Sequence, residues 1–152
     1  MSRQPSRVRV WCVVLARLIV GGALATAGIS SVLAPTADFL AAIHAYAALP
    51  VPAEPYLAAG LPWVEAVIGL AIILGLSQRF SLRIAATLIT IFWLVIGQAL
   101  VRRLPITECG CFGQLLSLPP QRMWWIDLLL VMQAWWLVRR HTTSPSLDEW
   151  LT

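Results

Sequence analysis

Long apolar stretches constrain the fold of this chain more than any other feature. They cover about residues 10–33, 57–76, 82–101 and 123–138, and the connecting segments and the two tails together carry most of the prolines and charges. About 20 apolar residues in an α-helix cross the ~30 Å hydrocarbon core of a bilayer. Helices satisfy their own backbone hydrogen bonds there. The sequence therefore predicts an all-α integral membrane four-helix bundle, with residues 1–152 as a single transmembrane domain.

Composition agrees with this prediction and argues against nucleic acid as a partner. The chain is 59% hydrophobic and 12% charged, whereas roughly a quarter of residues are charged in soluble domains. Its net charge is +4, and all 11 basic residues are arginine. They flank the apolar stretches instead of forming a patch, which is typical of topology signals. We therefore predict that the protein surface contacts the lipid bilayer and does not bind nucleic acid.

The arginine distribution predicts which ends of the spans face the cytoplasm. Eight arginines fall near one face and three near the other: 3, 7, 9, 17, 79, 83, 139 and 140 against 102, 103 and 122. The richer side stays in the cytoplasm. We therefore expect a multi-pass protein of the bacterial inner membrane with cytoplasmic tails at 1–9 and 139–152. The loops at 34–56 and 102–122 then face the periplasm.

The first apolar stretch admits a second interpretation. Ala25-Thr26-Ala27 resembles the cleavage site of a secretory signal peptide. Arg17 inside the stretch favours a retained span instead. Gly21, Ala25 and Gly28 recur at helical spacing, which predicts close packing on a neighbouring helix.

The first outer loop contains a short helical segment. Residues 38–49 are mildly amphipathic and too short to span, so we expect an interfacial or re-entrant helix that ends at Pro50. His44 within it is either a plain surface residue or a ligand or acid–base group.

The second outer loop carries the sequence CGCFG, residues 109–113. A disulfide between Cys109 and Cys111 requires a bent backbone, and Gly110 and Gly113 supply the conformational freedom. Such a disulfide closes almost no loop and adds little stability. Because it is strained and exposed, it is easily reduced. These properties favour a redox-active pair.

Other interpretations of the two cysteines stay open. The pair can be unlinked and incidental, or form a disulfide of local structural value. It can also be half of a metal site, although zinc takes four ligands and His44 and carboxylates are the evident candidates on that side. We predict no metal site. Cys12 falls in the opposite half of the membrane, where we expect a packed apolar residue.

Polar residues inside the predicted spans are functional candidates, since they are costly in hydrocarbon. Glu65, Gln98 and Asp127 come from three different spans, and the rise per residue places all three in the outer half. Two roles fit them. They can supply protons and tune the thiol pKa for thiol–disulfide exchange, or they can form interhelical hydrogen bonds.

Several segments together resemble the MauE-type methylamine-utilisation membrane proteins, within a broader DoxX-like group of small redox-associated membrane proteins. The matching segments are IHAYAALP at 43–50, LPWVEAVIGLAIILG at 61–75, CGCFG at 109–113 and WIDLLL at 125–130. The resemblance implies a four-helix bundle in the inner membrane. It also implies a role in disulfide formation or maturation of a periplasmic protein.

Two functions are therefore predicted, from different classes. In one, Cys109 and Cys111 exchange disulfides with a thioredoxin-like or periplasmic substrate protein. In the other, the chain is a non-catalytic accessory subunit among neighbouring membrane subunits. No cofactor is evident from the sequence. Because no second cysteine pair exists, the first function needs a quinone or another protein as its redox partner, and the sequence identifies neither.

Overall fold

The computed structural model describes residues 7–106 and 118–140 of the chain. These residues form five α-helices and one 3-10 turn, and the described ranges contain no strand. The helices are α1 (Arg7–Leu33), α2 (Thr36–Tyr46), α3 (Glu54–Leu74), α4 (Gln78–Val101) and α5 (Pro120–Arg140), and the 3-10 turn is Val51–Ala53. The predicted all-α class is confirmed. The short helix expected over residues 38–49 is α2, but it ends at Tyr46 and not at Pro50, because Ala47 adopts the left-handed conformation that ends the helix.

Among the described residues, three segments are long and apolar enough to cross a membrane: Trp11–Leu33, Val51–Leu74 and Gln78–Val101. The fourth long helix, α5, has 21 residues, and at 1.5 Å per residue such a helix is about 32 Å long. It is more polar than the other three because it contains Gln121, Arg122, Asp127 and Gln133 and ends at Arg139-Arg140. The helix α5 is therefore long enough to cross a bilayer, but it is more polar than α1, α3 and α4.

Turn residues determine where α3 and α4 meet. Gly75 follows α3 in the left-handed conformation (φ 79°), and the N–H of Leu76 bonds back to the carbonyl of Ala71. This arrangement satisfies carbonyls that a helix end leaves unpaired, and glycine adopts it without steric cost. The helix α3 consequently stops at Leu74, two residues before the end of the predicted span at Leu76. The helix α3 starts at Glu54, directly after the 3-10 turn Val51–Ala53.

The closest helix contact joins α1 to α3 through small residues. Gly28 faces the backbone of α3, where a Cβ atom added to Gly28 would come within 2.6 Å of the Pro62 carbonyl oxygen and would also strike Ala66. Gly69 faces α1 in the same way, and its added Cβ would lie 2.8 Å from the Gly21 carbonyl oxygen. The predicted close packing of the small-residue face of α1 is confirmed.

The four long helices pack on one another, and the buried apolar side chains of the described residues form two clusters. The helix α1 packs mainly on α3 and α4 mainly on α5, and smaller contacts join α3 to α4 and α1 to α5. The fully buried side chains at the centre include Val20, Ile72, Leu82 and Leu137. Rings of Trp93 and Trp124 stack at 5.3 Å between α4 and α5.

Polar contacts join α1 to α3 and to α5 near the end of the molecule at which α3 connects to α4. The guanidinium of Arg17 donates to the Ile73 carbonyl at the end of α3 (3.4 Å), where the helix leaves carbonyls unpaired and the dipole favours a cation. Gln133 of α5 donates to the Ala16 carbonyl of α1 at 3.4 Å. Cys12 nearby is exposed on the outside of α1. The expectation that Cys12 packs in the interior is wrong, because the buried face of α1 is formed by Val13, Ala16 and Val20.

Candidate functional site

The predicted redox pair, Cys109 and Cys111, lies outside the described residues. The residues that flank this loop are described. Ile106 precedes it and Leu118 follows it, and both pack on the cluster formed by Tyr46, Ile96, Ala99 and Met123. Tyr46 is the last residue of α2. The two ends of the cysteine loop therefore start from the same end of the molecule that carries α2.

Glu65 and Asp127, the two acidic residues predicted inside the spans, line one cavity. Glu65 comes from α3 and Asp127 from α5, and both are buried, with 3% and 6% of their surface exposed. The cavity between the long helices also touches Ala27, Phe92 and Met123. We call it the carboxyl cavity. The convergence of two buried carboxyl groups from different helices agrees with the sequence argument about their depth.

The carboxyl cavity has room for water. Its volume is about 30 Å³, and a buried water needs about 10–15 Å³ of such space. One oxygen of Glu65, Oε2, is buried without a hydrogen-bond partner in the described part of the chain. An unpaired buried carboxyl oxygen is costly, so a water or a proton at this atom lowers the free energy of the site. The arrangement has space to hold a water or a proton at the Glu65 carboxyl group.

Gln98 does not line the carboxyl cavity. Its side-chain Nε2 donates to the Tyr46 carbonyl of α2 at 2.8 Å. Its Oε1 accepts from Arg102, whose guanidinium also donates to the Ala47 carbonyl, each at 3.2 Å. Ala47 is in the left-handed conformation at the end of α2, with φ 45°. Gln98 thus forms hydrogen bonds between elements, one of its two predicted roles, and holds the end of α2 on α4.

His44 pairs with an acid that the sequence argument did not single out. The Nδ1 of His44 lies 2.9 Å from Oε2 of Glu54. The imidazole is exposed, whereas Glu54 is buried in the first turn of α3. An acid in the first helical turn suits the positive end of the helix dipole, and this position was the signal in the sequence. The pair links α2 to α3. Within the described residues no three His, Cys, Asp or Glu side chains gather in a manner that could hold a metal.

A second and larger cavity opens between α2, α3 and α4. Its volume is about 410 Å³, and apolar side chains line nearly all of it. Phe39 and Tyr46 of α2 and Phe92 of α4 contribute aromatic rings. Phe92 also lines the carboxyl cavity, so this side chain lies between the two spaces. We call the larger space the apolar pocket. Sequence periodicity had no means of showing it, because it forms where α2 folds across two other helices.

Long apolar helices, buried carboxyl groups and a short helix over one end together define a small helical membrane protein. The family model described as methylamine utilisation protein MauE matches residues 9–139. The chain belongs to this family, which suggests a membrane protein involved in methylamine utilisation. A search of the curated proteins and a search of the solved structures gave no match.

Proposed function

We propose that this chain is an inner-membrane protein whose Cys109–Cys111 pair takes part in thiol–disulfide exchange during maturation of a periplasmic protein. The observation that carries the proposal is the placement of the two buried carboxyl groups and the loop ends. Two cysteines separated by one glycine stand in the connection from α4 to α5. The flanks of that connection pack over the end of the bundle below which Glu65 and Asp127 line their cavity.

The proposal includes a four-helix membrane bundle in which α5 is the fourth span. The inward-facing polar groups of α5 support this, because Asp127 lies in the carboxyl cavity and the partly buried Gln133 donates to the Ala16 carbonyl of α1. Its lipid-facing side is apolar and includes Leu129 and Met132, which are both exposed. With α5 spanning, both termini lie in the cytoplasm and the cysteine loop lies in the periplasm, in agreement with the arginine distribution.

The chemistry proposed for the site needs proton transfer as well as sulfur chemistry. A thiolate is the attacking species in disulfide exchange, so a thiol must lose its proton before it reacts. Glu65, with one buried oxygen unpaired, and Asp127 across the same cavity are the groups in the described bundle suited to accept or return it. Both act here as proton-handling residues, and the sulfur atoms are the reacting groups.

Thiol trapping in whole cells tests the proposal. A Cys12→Ser variant leaves the loop pair as the only cysteines, since the chain has three. A membrane-impermeant maleimide should label this variant only after a reductant is added, because the pair is a disulfide in an oxidising compartment. In a Cys12→Ser/Cys111→Ser chain the remaining Cys109 should form a mixed disulfide with its partner, visible as a larger species on a non-reducing gel.

Two results would contradict the proposal. The first is a pair that remains in one redox state whatever the growth conditions and that forms no mixed disulfide. That result would favour the second predicted function, an accessory subunit of a larger membrane complex. The second is labelling that appears only after the membrane is broken, which would place the loop in the cytoplasm. Cys12→Ser alone is the control for any effect of the background substitution.

A further inference from the structure

The apolar pocket has the properties of a ligand site that is entered from the bilayer. Its volume of about 410 Å³ lies within the 300–1,000 Å³ typical of small-molecule sites. Leu57 and Ile91 are among its lining residues, are partly exposed, and belong to helices α3 and α4 that are apolar enough to span. The opening between these helices therefore faces hydrocarbon, and a ligand that enters there must be soluble in the membrane.

The helix α2 lies over the pocket where α3 begins and α4 ends, and two contacts hold it there. His44 pairs with Glu54 at 2.9 Å, and Gln98 donates to the Tyr46 carbonyl at 2.8 Å. Each contact joins α2 to one of the two helices that form the pocket walls. The apolar pocket is therefore covered by a helix that is held in place by contacts to both walls.

The lining favours a flat ring over a plain hydrocarbon chain. In a membrane, lipid tails are as apolar as the side chains of a protein, so burying an acyl chain in an apolar pocket brings little gain. Aromatic side chains, in contrast, stack on planar rings with a defined geometry. Phe39, Tyr46 and Phe92 supply three such rings from two helices. The buried carboxyl groups of the neighbouring cavity lie just beyond Phe92.

We propose that the apolar pocket binds a membrane quinone, with the ring among Phe39, Tyr46 and Phe92 and the tail directed between α3 and α4 to the bilayer. The function of this ligand as an electron acceptor rests on the proposed function above. Closing a Cys109–Cys111 disulfide from two thiols releases two electrons and two protons. Reduction of one quinone to a quinol consumes both, so the reaction balances without a second cysteine pair.

Photolabelling of the full chain in phosphatidylcholine nanodiscs tests the proposal. The probe is a photoreactive azido-ubiquinone, and the labelled peptides are mapped by mass spectrometry. We expect the label on α2 and on the part of α4 that contains Phe92. Decylubiquinone should compete with the probe, and added palmitate should not. Label that palmitate displaces equally well would assign the pocket to acyl chains and overturn the proposal.

A matched pair of substitutions on α2 locates the site. Ala42 lines the pocket, whereas its neighbour Ala41 is exposed and does not. Ala42→Phe fills part of the space and should reduce labelling at least tenfold, while Ala41→Phe should leave it within about twofold. Ala48→Phe fills the pocket from the segment after α2, so it serves if Ala42→Phe fails to fold. Equal labelling of Ala48→Phe and the unaltered chain would refute the site.

Labelling of a Cys109→Ser/Cys111→Ser chain separates this proposal from the proposed function. Binding should persist in this variant, since the described residues that line the pocket supply its apolar surface and its three aromatic rings. If the thiols prove inert in cells while the labelling pattern holds, the quinone site stands and its role as acceptor falls. If thiol exchange is observed and no label enters the pocket, the quinone site is wrong and another acceptor serves the cysteines.

Discussion

Gly28 gives the most direct test of how the helices pack, because its neighbours are backbone atoms that have no room to move. Gly28→Ala would place a Cβ atom 2.6 Å from the Pro62 carbonyl oxygen, about 0.8 Å short of an ordinary contact at 3.4 Å. The helices α1 and α3 must separate by a similar distance to accept it. Overpacking of this kind typically costs about 1–3 kcal/mol.

Gly22→Ala is the matched control on the same helix. An added Cβ at Gly22 meets nothing within 4 Å. Both substitutions gain the same preference of alanine for helix, about 1 kcal/mol, so this contribution cancels when the two variants are compared. The free energy of unfolding of Gly28→Ala should therefore lie about 1–3 kcal/mol below that of Gly22→Ala.

Unfolding by SDS from mild detergent micelles, followed by the fluorescence of the eight tryptophans, measures this difference. Gly69→Ala provides a second test from the opposite helix, since its added Cβ meets Ala25 and the Gly21 carbonyl oxygen. Gly28→Ala and Gly22→Ala chains of equal stability would show that α1 and α3 do not approach as closely as described, and the reasoning would fail.

Three further predictions concern the polar contacts. Glu65→Leu removes a buried oxygen that lacks a partner, so the free energy of unfolding in SDS should be unchanged or raised by about 1 kcal/mol. Mixed-disulfide formation in cells should fall. Loss of stability without loss of disulfide exchange would show that Glu65 has a purely structural role. Gln98→Leu removes the hydrogen bond to the Tyr46 carbonyl and should cost about 0.6–1.7 kcal/mol, with faster proteolysis at the end of α2; an unchanged cleavage rate would contradict this. His44→Ala leaves the buried Glu54 without its partner and should lower the free energy of unfolding by about 1–3 kcal/mol in the same assay. The double variant His44→Ala/Glu54→Gln should recover part of this lost stability.

The sequence predicts how deep the polar residues of the candidate site lie along the membrane normal. It says little about which helix faces, within the membrane plane, these residues share. The rise per residue placed Glu65 and Asp127 in the same half of the bundle, and the structure puts both on one cavity. The rise per residue also places Gln98 at a similar depth. The structure instead turns Gln98 toward α2, because depth does not specify which face of a helix a residue occupies relative to its neighbours.

The sequence by itself determined the class of fold. Apolar length predicts membrane helices because unsatisfied backbone groups are too costly in hydrocarbon. The small residues Gly21, Ala25 and Gly28 predicted a close helix contact, since only small side chains let two backbones approach. The segment before Pro50 predicted a short helix too brief to span. All of these depend on local properties that each stretch of chain carries alone.

The tertiary structure decided which distant residues meet. The pairing of His44 with Glu54, the sharing of one cavity by Glu65 and Asp127, and the apolar pocket depend on how α2 crosses α3 and α4 and on how each helix is rotated about its axis. Rotation and crossing follow from side-chain packing between helices. That packing is a property of the assembled bundle, and the hydropathy of a single helix does not contain it.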